Sequence, residues 1–544
     1  MGLTTLWSGL FLDDYQQRIT LLTGGGNVFE FFTMSTPVAQ AQWQEGMLPW
    51  WHWPDSKTVF LRPLAQWSMA LDYALWPDNF VLMHLHSALW YGATAAIAAF
   101  AYRELIPIRW SAGFAAVLFA IDYGHGGAVA WLANRNVMMC FSAGILALLC
   151  LRRSGAGWQA GGWLCFALAL GAGESGLAIA GYLLAHEVFL ARDALVRRAL
   201  RLAPYALIAL AWLAYRKMHG YGTAGPGFYI DPGEDLVYFL GEMLARVPAY
   251  LAGQWFIVPA DVLGLAYATP ARPVALGYAL AVVALVGVLL APLLRQSALA
   301  RFFALGMVLA AIPISASTVV GRALWFVGFG ALGLLALYLA QLHAAPARPG
   351  RFVRLVVALI VGVHLWLSPL LFVAYAKSLE YVDNMMDNRT VSLPTSDEQG
   401  RNLLVIGTKS YLQNITFPLL KARALSLGST PESTAPTLQV HGLVSGAGTF
   451  RLARPDADTL LASAPEGFTH LRPQRYGFAA GDKAQPAYMS AEVLAVNAAA
   501  APTAIAFRFP AGQLDRYRVL TWDKQGFVPA QLPPVGASAD YRVE

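Results

Sequence analysis

Long apolar runs, broken by short polar or basic turns, fill the chain from residue 79 to residue 376. A helix needs about 20 mostly apolar residues to cross the hydrocarbon layer of a bilayer. On that measure the runs at 79–102, 109–124, 129–151, 157–172, 174–191, 199–216, 273–294, 302–320, 322–342 and 353–376 predict about ten spanning helices. The stretch 236–259 is also apolar, but it carries Glu242, Arg246 and Pro248 and reads as an interfacial or re-entrant helix. From residue 377 the apolar runs shorten, and Ser, Thr, Asp, Pro and Gly become more frequent. Leu403–Gly407 reads as a strand followed by a helix near 411–427, and TLQVHGLV, AEVLAVNA, AIAFRFP and RYRVLTW have the length and β-branched content of strands. The pattern predicts a polytopic α-helical membrane protein in three parts. Residues 1–78 form an outward-facing first loop with interfacial helices, 79–376 a transmembrane helical domain, and 377–544 a soluble extracytoplasmic α/β or β-rich domain.

Composition strengthens the membrane assignment. The chain is 57% hydrophobic and only 13% charged, against about 25% charged in soluble domains. The net charge of +6 does not point to nucleic acid, because the basic residues lie in short clusters between apolar runs. Those clusters orient the chain. They are Arg103 with Arg109; Arg152 with Arg153; Arg192, Arg197, Arg198 and Arg201; Arg295 with Arg301; and Arg348, Arg351 and Arg354. If 236–259 does not cross, all of them fall on one face, which the positive-inside rule makes cytoplasmic. Residues 1–78, the loop 217–272 and the carboxy-terminal domain then share the other face of the inner (plasma) membrane. The opening MGLTTLWSGLFLDDYQQR holds neither a full apolar span nor a signal peptide. Residues 1–78 need something to carry them across, so the expectation is a missing first helix, either through a misplaced start codon or with 1–12 as its remnant. Cys140, Cys150 and Cys165 lie in apolar runs without metal-ligand spacing and read as small apolar side chains.

The candidate chemistry gathers in the first outward region. Asp13 and Asp14 are adjacent and followed by Arg18. Neighbouring carboxylates at a membrane surface can act as a general base, as metal ligands or as solvated polar groups. Downstream, a segment rich in Trp, Pro and His precedes the first long run, as an interfacial segment would. Within it Arg62 could bind a lipid phosphate bidentately or simply snorkel to the headgroups. His84 and His86 are two residues apart, which puts them on different helix faces and argues against a metal pair. Arg135 lies inside an apolar stretch, where an unpaired charge is costly and turns toward a cavity or a partner. Glu174 opens a span after a Gly-rich break, where it suits a helix N-terminus. Asp72, Asp122 and His84 read as packing or capping residues.

Four places in the chain resemble the GT-C class of membrane glycosyltransferases, among them protein O-mannosyltransferases and bacterial enzymes that use polyprenyl-phosphate sugars. They are the acidic pair in LDDYQQR; the stretch FLRPLAQWSMALDYALWPDNFVLMHLHSALW; the segment GHGGAVAWLANRNVMMCFSAGILALL, with its His-x-x-x-Val-Ala-Trp-x-x-x-Arg pattern; and GAGESGLAIAGYLLAHEVF. The likeness covers roughly residues 5–190. It departs at Gly127, where the class tends to carry an acid before Val-Ala-Trp, and no tetratricopeptide repeats follow. The resemblance implies that Asp13 or Asp14, with Asp14 favoured, is the catalytic base or a metal-coordinating carboxylate. It further implies that Arg62, with Arg18, holds the donor phosphate, and that His84, His125, Arg135 and Glu174 form a second tier. A divalent metal is left open as cofactor. The implied partners are a polyprenyl-phosphate sugar donor, a glycan, lipid or protein acceptor, and membrane lipids. A transporter and a non-catalytic assembly protein stand as alternatives; the scarcity of intramembrane charge and the lack of an inverted repeat speak against the first.

Overall fold

The structure, a computed structural model, describes residues 1–11, 13, 14, 17, 33–46, 48–225, 229–255, 257–346, 348–390, 402–409, 439–469, 471, 472, 476–523 and 526–543. Every apolar run expected to span falls on helix. Phe80–Leu105, Arg109–Ala120, Arg135–Leu151, Ala156–Ala172, Ile179–Phe189, Leu195–Met218, Arg272–Gln296, Ala298–Ile314, Trp325–Ala344 and Arg351–Gly362, continued by Ser368–Thr390, correspond to them in order. Among the described residues, four helical stretches are long and apolar enough to cross a membrane: Leu132–Leu151, Arg272–Gln296, Trp325–Ala344 and Arg351–Tyr381. Arg109–Ala120 and Gly124–Ala130, bent by 51°, make a fifth if they form one span. The helical class is therefore present, with four or five spans by length and composition where about ten were expected.

Local signals set the helix boundaries. Asn79 caps Phe80–Leu105 by accepting the Leu82 N–H at 3.2 Å, and Ser297 does the same for Ala298–Ile314 through Ala300 N–H at 3.2 Å. Trp325–Ala344 is the hub of the bundle, with 83% of its most apolar window buried, against 28% for Arg272–Gln296. Val274 and Val288 on the latter are exposed, as are Leu207 and Leu210 on Leu195–Met218. An apolar outer surface of this kind suits lipid contact. Inside, small residues let helices approach: a Cβ on Gly306 would stand 2.3 Å from the Tyr182 ring, and one on Gly181 2.7 Å from Leu309 Cβ.

The apolar stretch read as interfacial forms a continuous helix, Leu236–Trp255. Its charges are paired: Arg246 binds Glu242 at 3.1 Å, and Glu242 binds Arg272 at 2.6 Å. Arg246 also donates to the carbonyls of Ser315 and Ser317, and Tyr250 to that of Thr318. The second half of this helix thus lies beside the turn between Ala298–Ile314 and Trp325–Ala344.

A small antiparallel sheet ties the long loops together, with β1 (Thr33–Met34), β2 (Lys57–Val59) and β3 (Gly222–Ala224) in that order. The carboxy-terminal part is strand-rich. Strands β4 (Asn402–Val405) and β5 (Gln439–Gly442) pair in parallel, and β11 (Arg518–Asp523) and β12 (Gly526–Pro529) extend them into a sheet of order β12-β11-β4-β5. An antiparallel sheet runs β13 (Ala537–Arg542), β6 (Thr449–Arg454), β7 (Thr459–Ser463), β10 (Pro502–Arg508), β9 (Ser490–Val496), β8 (Lys483–Ala484). Alternation places Phe450 and Leu452 inside while Thr449 and Arg451 face out. The expected helix near 411–427 lies outside the described residues. The first loop does not stand apart from this domain, because Ala39, Trp43, Trp50 and Trp51 share its core with Leu404, Phe478 and Phe507. Trp50 Nε1–H donates to Leu443 O at 2.8 Å, and Arg472 donates to Trp51 O at 2.5 Å.

Candidate functional site

The amino-terminal segment is fastened along its length. His84 Nε2–H donates to Gly9 O at 2.7 Å, and the Tyr73 hydroxyl donates to Asp14 O at 3.3 Å. The Asp14 carboxylate accepts the backbone N–H of Ala133 at 2.8 Å and that of Phe11 at 3.0 Å. Asp14 is fully buried, and desolvation outweighs those two donors and pushes its pKa up to about 8. It acts as a clasp between the segment and the start of the Arg135–Leu151 helix, and no part of it reaches solvent. Asp14, the favoured member of the acidic pair, thus has both carboxylate oxygens engaged by backbone N–H groups.

Asp13 is placed otherwise. It is exposed, yet protein crowds its carboxyl enough to raise its pKa by desolvation, while the guanidinium groups of Arg322 and Arg62 act in the opposite sense. Asp13, Arg322 and Arg62 lie close enough to act on one another electrostatically, and the space they share is the candidate recess. Arg62, just before the helix Pro63–Leu75, lies 4.0 Å over the Phe60 ring and donates through Nε to Glu174 at 2.8 Å. Glu174 also accepts the Leu61 N–H at 3.3 Å and stands 3.7 Å from Arg216, which reaches Asp231 at 4.0 Å. Arg322, in the turn Gly321–Ala323, lies 4.6 Å over the Trp131 ring, and Phe11 packs edge-on against the same ring at 5.2 Å. Asp261 shapes that turn by accepting the Gly321 N–H at 3.0 Å and the Tyr375 hydroxyl at 3.3 Å.

The second-tier residues divide. Glu174 joins the recess as the partner of Arg62. Arg135 is buried in a structural network, bonded to Asp72 at 2.5 Å, Ser87 at 3.0 Å, Ser68 at 2.8 Å and the Met83 carbonyl at 3.1 Å. His86 shares that network through Asp72 at 2.5 Å. His125 stacks on Trp325 at 3.8 Å within an aromatic cluster, and His84 is occupied with Gly9. The side chains of Arg135, His125 and His84 are buried, so they support the site rather than face it. Arg18 lies outside the described residues. Gly127 has a packing reason: a Cβ there would stand 2.3 Å from the Tyr375 ring, so no acid fits at this position. Arg322 and Arg216 were missed in the sequence. Arg322 carried a signal, as a lone arginine in a turn on the face that the positive-inside rule leaves poor in basic residues.

Two guanidinium groups acting on one carboxylate bring together residue types that can hold an anion beside a proton acceptor. A divalent cation fits poorly between Arg62 and Arg322, and among the described residues no three His, Cys, Asp or Glu side chains converge as ligands. No protein-family model, curated protein or solved structure matches the chain.

Proposed function

We propose that this chain is a polytopic membrane glycosyltransferase of GT-C type. It moves a sugar from a polyprenyl-phosphate donor to an extracytoplasmic glycan, lipid or protein acceptor, with Asp13 as base and Arg62 and Arg322 on the donor phosphate. The observation that supports this is Asp13, an exposed residue whose carboxyl lies close enough to Arg322 and Arg62 for both to act on it. The acceptor hydroxyl attacks the anomeric carbon, the bond from that carbon to the phosphate oxygen breaks, and polyprenyl phosphate leaves as an anion. The hydroxyl proton passes to Asp13, and the two arginines stabilise charge growing on the leaving oxygen. Glu174 holds Arg62 in place, and Trp131 supports Arg322.

The orientation has its own support. Residues of the first loop and of the carboxy-terminal domain bury themselves in one core, which requires both to lie on one side of any bilayer. The residues of the recess come from the turns that the positive-inside rule places on that side: Asp13, Arg62, Glu174, Arg216 and Arg322. The test uses the full-length protein in native membranes with synthetic polyprenyl-phosphate sugars as donors. Asp13→Asn lowers release of polyprenyl phosphate roughly 100- to 10,000-fold while the protein stays monodisperse. Full turnover in that variant removes Asp13 from the mechanism.

A further inference from the structure

A cavity of about 840 Å³ lies among the opposite ends of the same helices. Leu151, which lines it, ends a 17-residue helix that begins beside the Asp14 clasp. That length sets the cavity roughly 25 Å from the recess. Its lining mixes Arg152, Arg201, His186 and Tyr205 with the apolar Trp163 and Leu200.

The polar groups are present without complete partners. Arg201 is bound to Glu187 at 2.8 Å and to Asp193 at 2.6 Å, yet its Nε is buried and makes no hydrogen bond among the described residues. The same holds for Arg152 Nη1 and for the hydroxyl of Tyr205, a residue only 4% exposed. Gly162 leaves room for that hydroxyl, which would stand 2.3 Å from a Cβ there. The local acids are already taken: Glu187 by Arg201 and by His186 at 3.1 Å, and Glu104 by Arg153 at 2.7 Å. Arg152 has no ion-pair partner among the described residues, and Glu104 acts on it only at longer range. Buried donors left open ask for an acceptor, and a cation without an ion pair of its own favours an anionic one. Leu200, on the apolar side, is exposed on the outer surface of the bundle, so a tail can leave toward lipid.

We propose that this cavity binds the phosphate headgroup of an anionic phospholipid, with Arg152, Arg201 Nε and the Tyr205 hydroxyl on the phosphate and the acyl chains passing Trp163 and Leu200. The negative charge of the cytoplasmic leaflet would supply it. The inference rests on the chain's spanning a bilayer and is independent of the transferase assignment.

Full-length protein, delipidated in detergent, is titrated with phosphatidylglycerol, phosphatidylcholine or inorganic phosphate, with bound lipid read by native mass spectrometry and stability by thermal melting. Phosphatidylglycerol binds one per chain, at least tenfold tighter than phosphatidylcholine, and raises the melting temperature. Arg152→Gln weakens it tenfold or more and Tyr205→Phe severalfold, while Arg348→Gln, which removes an equal charge from another basic cluster, leaves it unchanged, as does Asp13→Asn. The proposal is overturned if Arg152→Gln binds phosphatidylglycerol like the parent, if Arg348→Gln weakens it equally, or if inorganic phosphate protects as well as the lipid. Should Arg152→Gln not fold, Tyr205→Phe decides: unchanged lipid affinity overturns the site.

Discussion

Asp13 and Asp14 are neighbours in sequence with opposite environments, and pH separates them. Asp14 has its folded pKa raised to about 8 from an ordinary 3.8. The folded state then holds a proton that the unfolded state has released, so its contribution to stability is full below about pH 4 and is lost as pH rises toward 8. Melting temperature in detergent should fall across that window, and Asp14→Ala, though less stable overall, should lose that slope. Asp13 must be ionised to accept a proton, and its pKa is raised above 3.8 by desolvation. The acid limb of kcat/KM should therefore lie at higher pH than an ordinary aspartate would place it, and vanish with Asp13→Asn. In the proposed reaction Arg322 stabilises the leaving phosphate, so Arg322→Ala should cost roughly 100- to 1,000-fold in turnover. A wild-type rate in that variant would take Arg322 out of the donor site.

The elements that carry these residues are held by contacts between segments distant in the chain. The first loop threads three indole rings, Trp43, Trp50 and Trp51, into the strand-rich domain; Trp50 is 1% exposed, hydrogen-bonded to Leu443 O, and packed on Phe478 and Phe507. Truncation to Ala should cost about 3–5 kcal/mol. That loss is checked as earlier melting of the carboxy-terminal domain and faster proteolysis of the loop. If Trp50→Ala leaves both unchanged, the loop and the domain are not one folding unit. Strand expectations at this scale were legible, because alternation along Thr449–Arg454 and the start of Ser490–Val496 writes the pleat into the sequence. The pairing of Arg246 with Glu242 was not foreseen as a reason for the charges in Leu236–Trp255, although the spacing of four residues on a helix allows it.

At the scale of the molecule, one end of the helical bundle gathers an acidic and cationic recess, and the other gathers the arginine clusters. The expected topology follows: cysteines introduced at Thr269 and Ser154, both exposed, should label from opposite sides of a sealed membrane. Labelling of both from one side would refute the arrangement, and the native cysteines, buried or half-buried, provide the background.

The linear pattern determined the helical class, the strand-rich end and the candidate groups Asp13, Arg62 and Glu174, because hydrophobic runs, alternation and residue type are properties of the chain itself. Only the tertiary structure decided which carboxylate of the acidic pair faces open space, that Glu174 serves Arg62, that Arg135 is locked to Asp72, and that Arg322 enters the recess. Burial and partnership depend on which distant segments pack together: Ala133 claims Asp14, and the Gly321–Ala323 turn brings Arg322 over Trp131. Spacing along the chain does not encode those meetings.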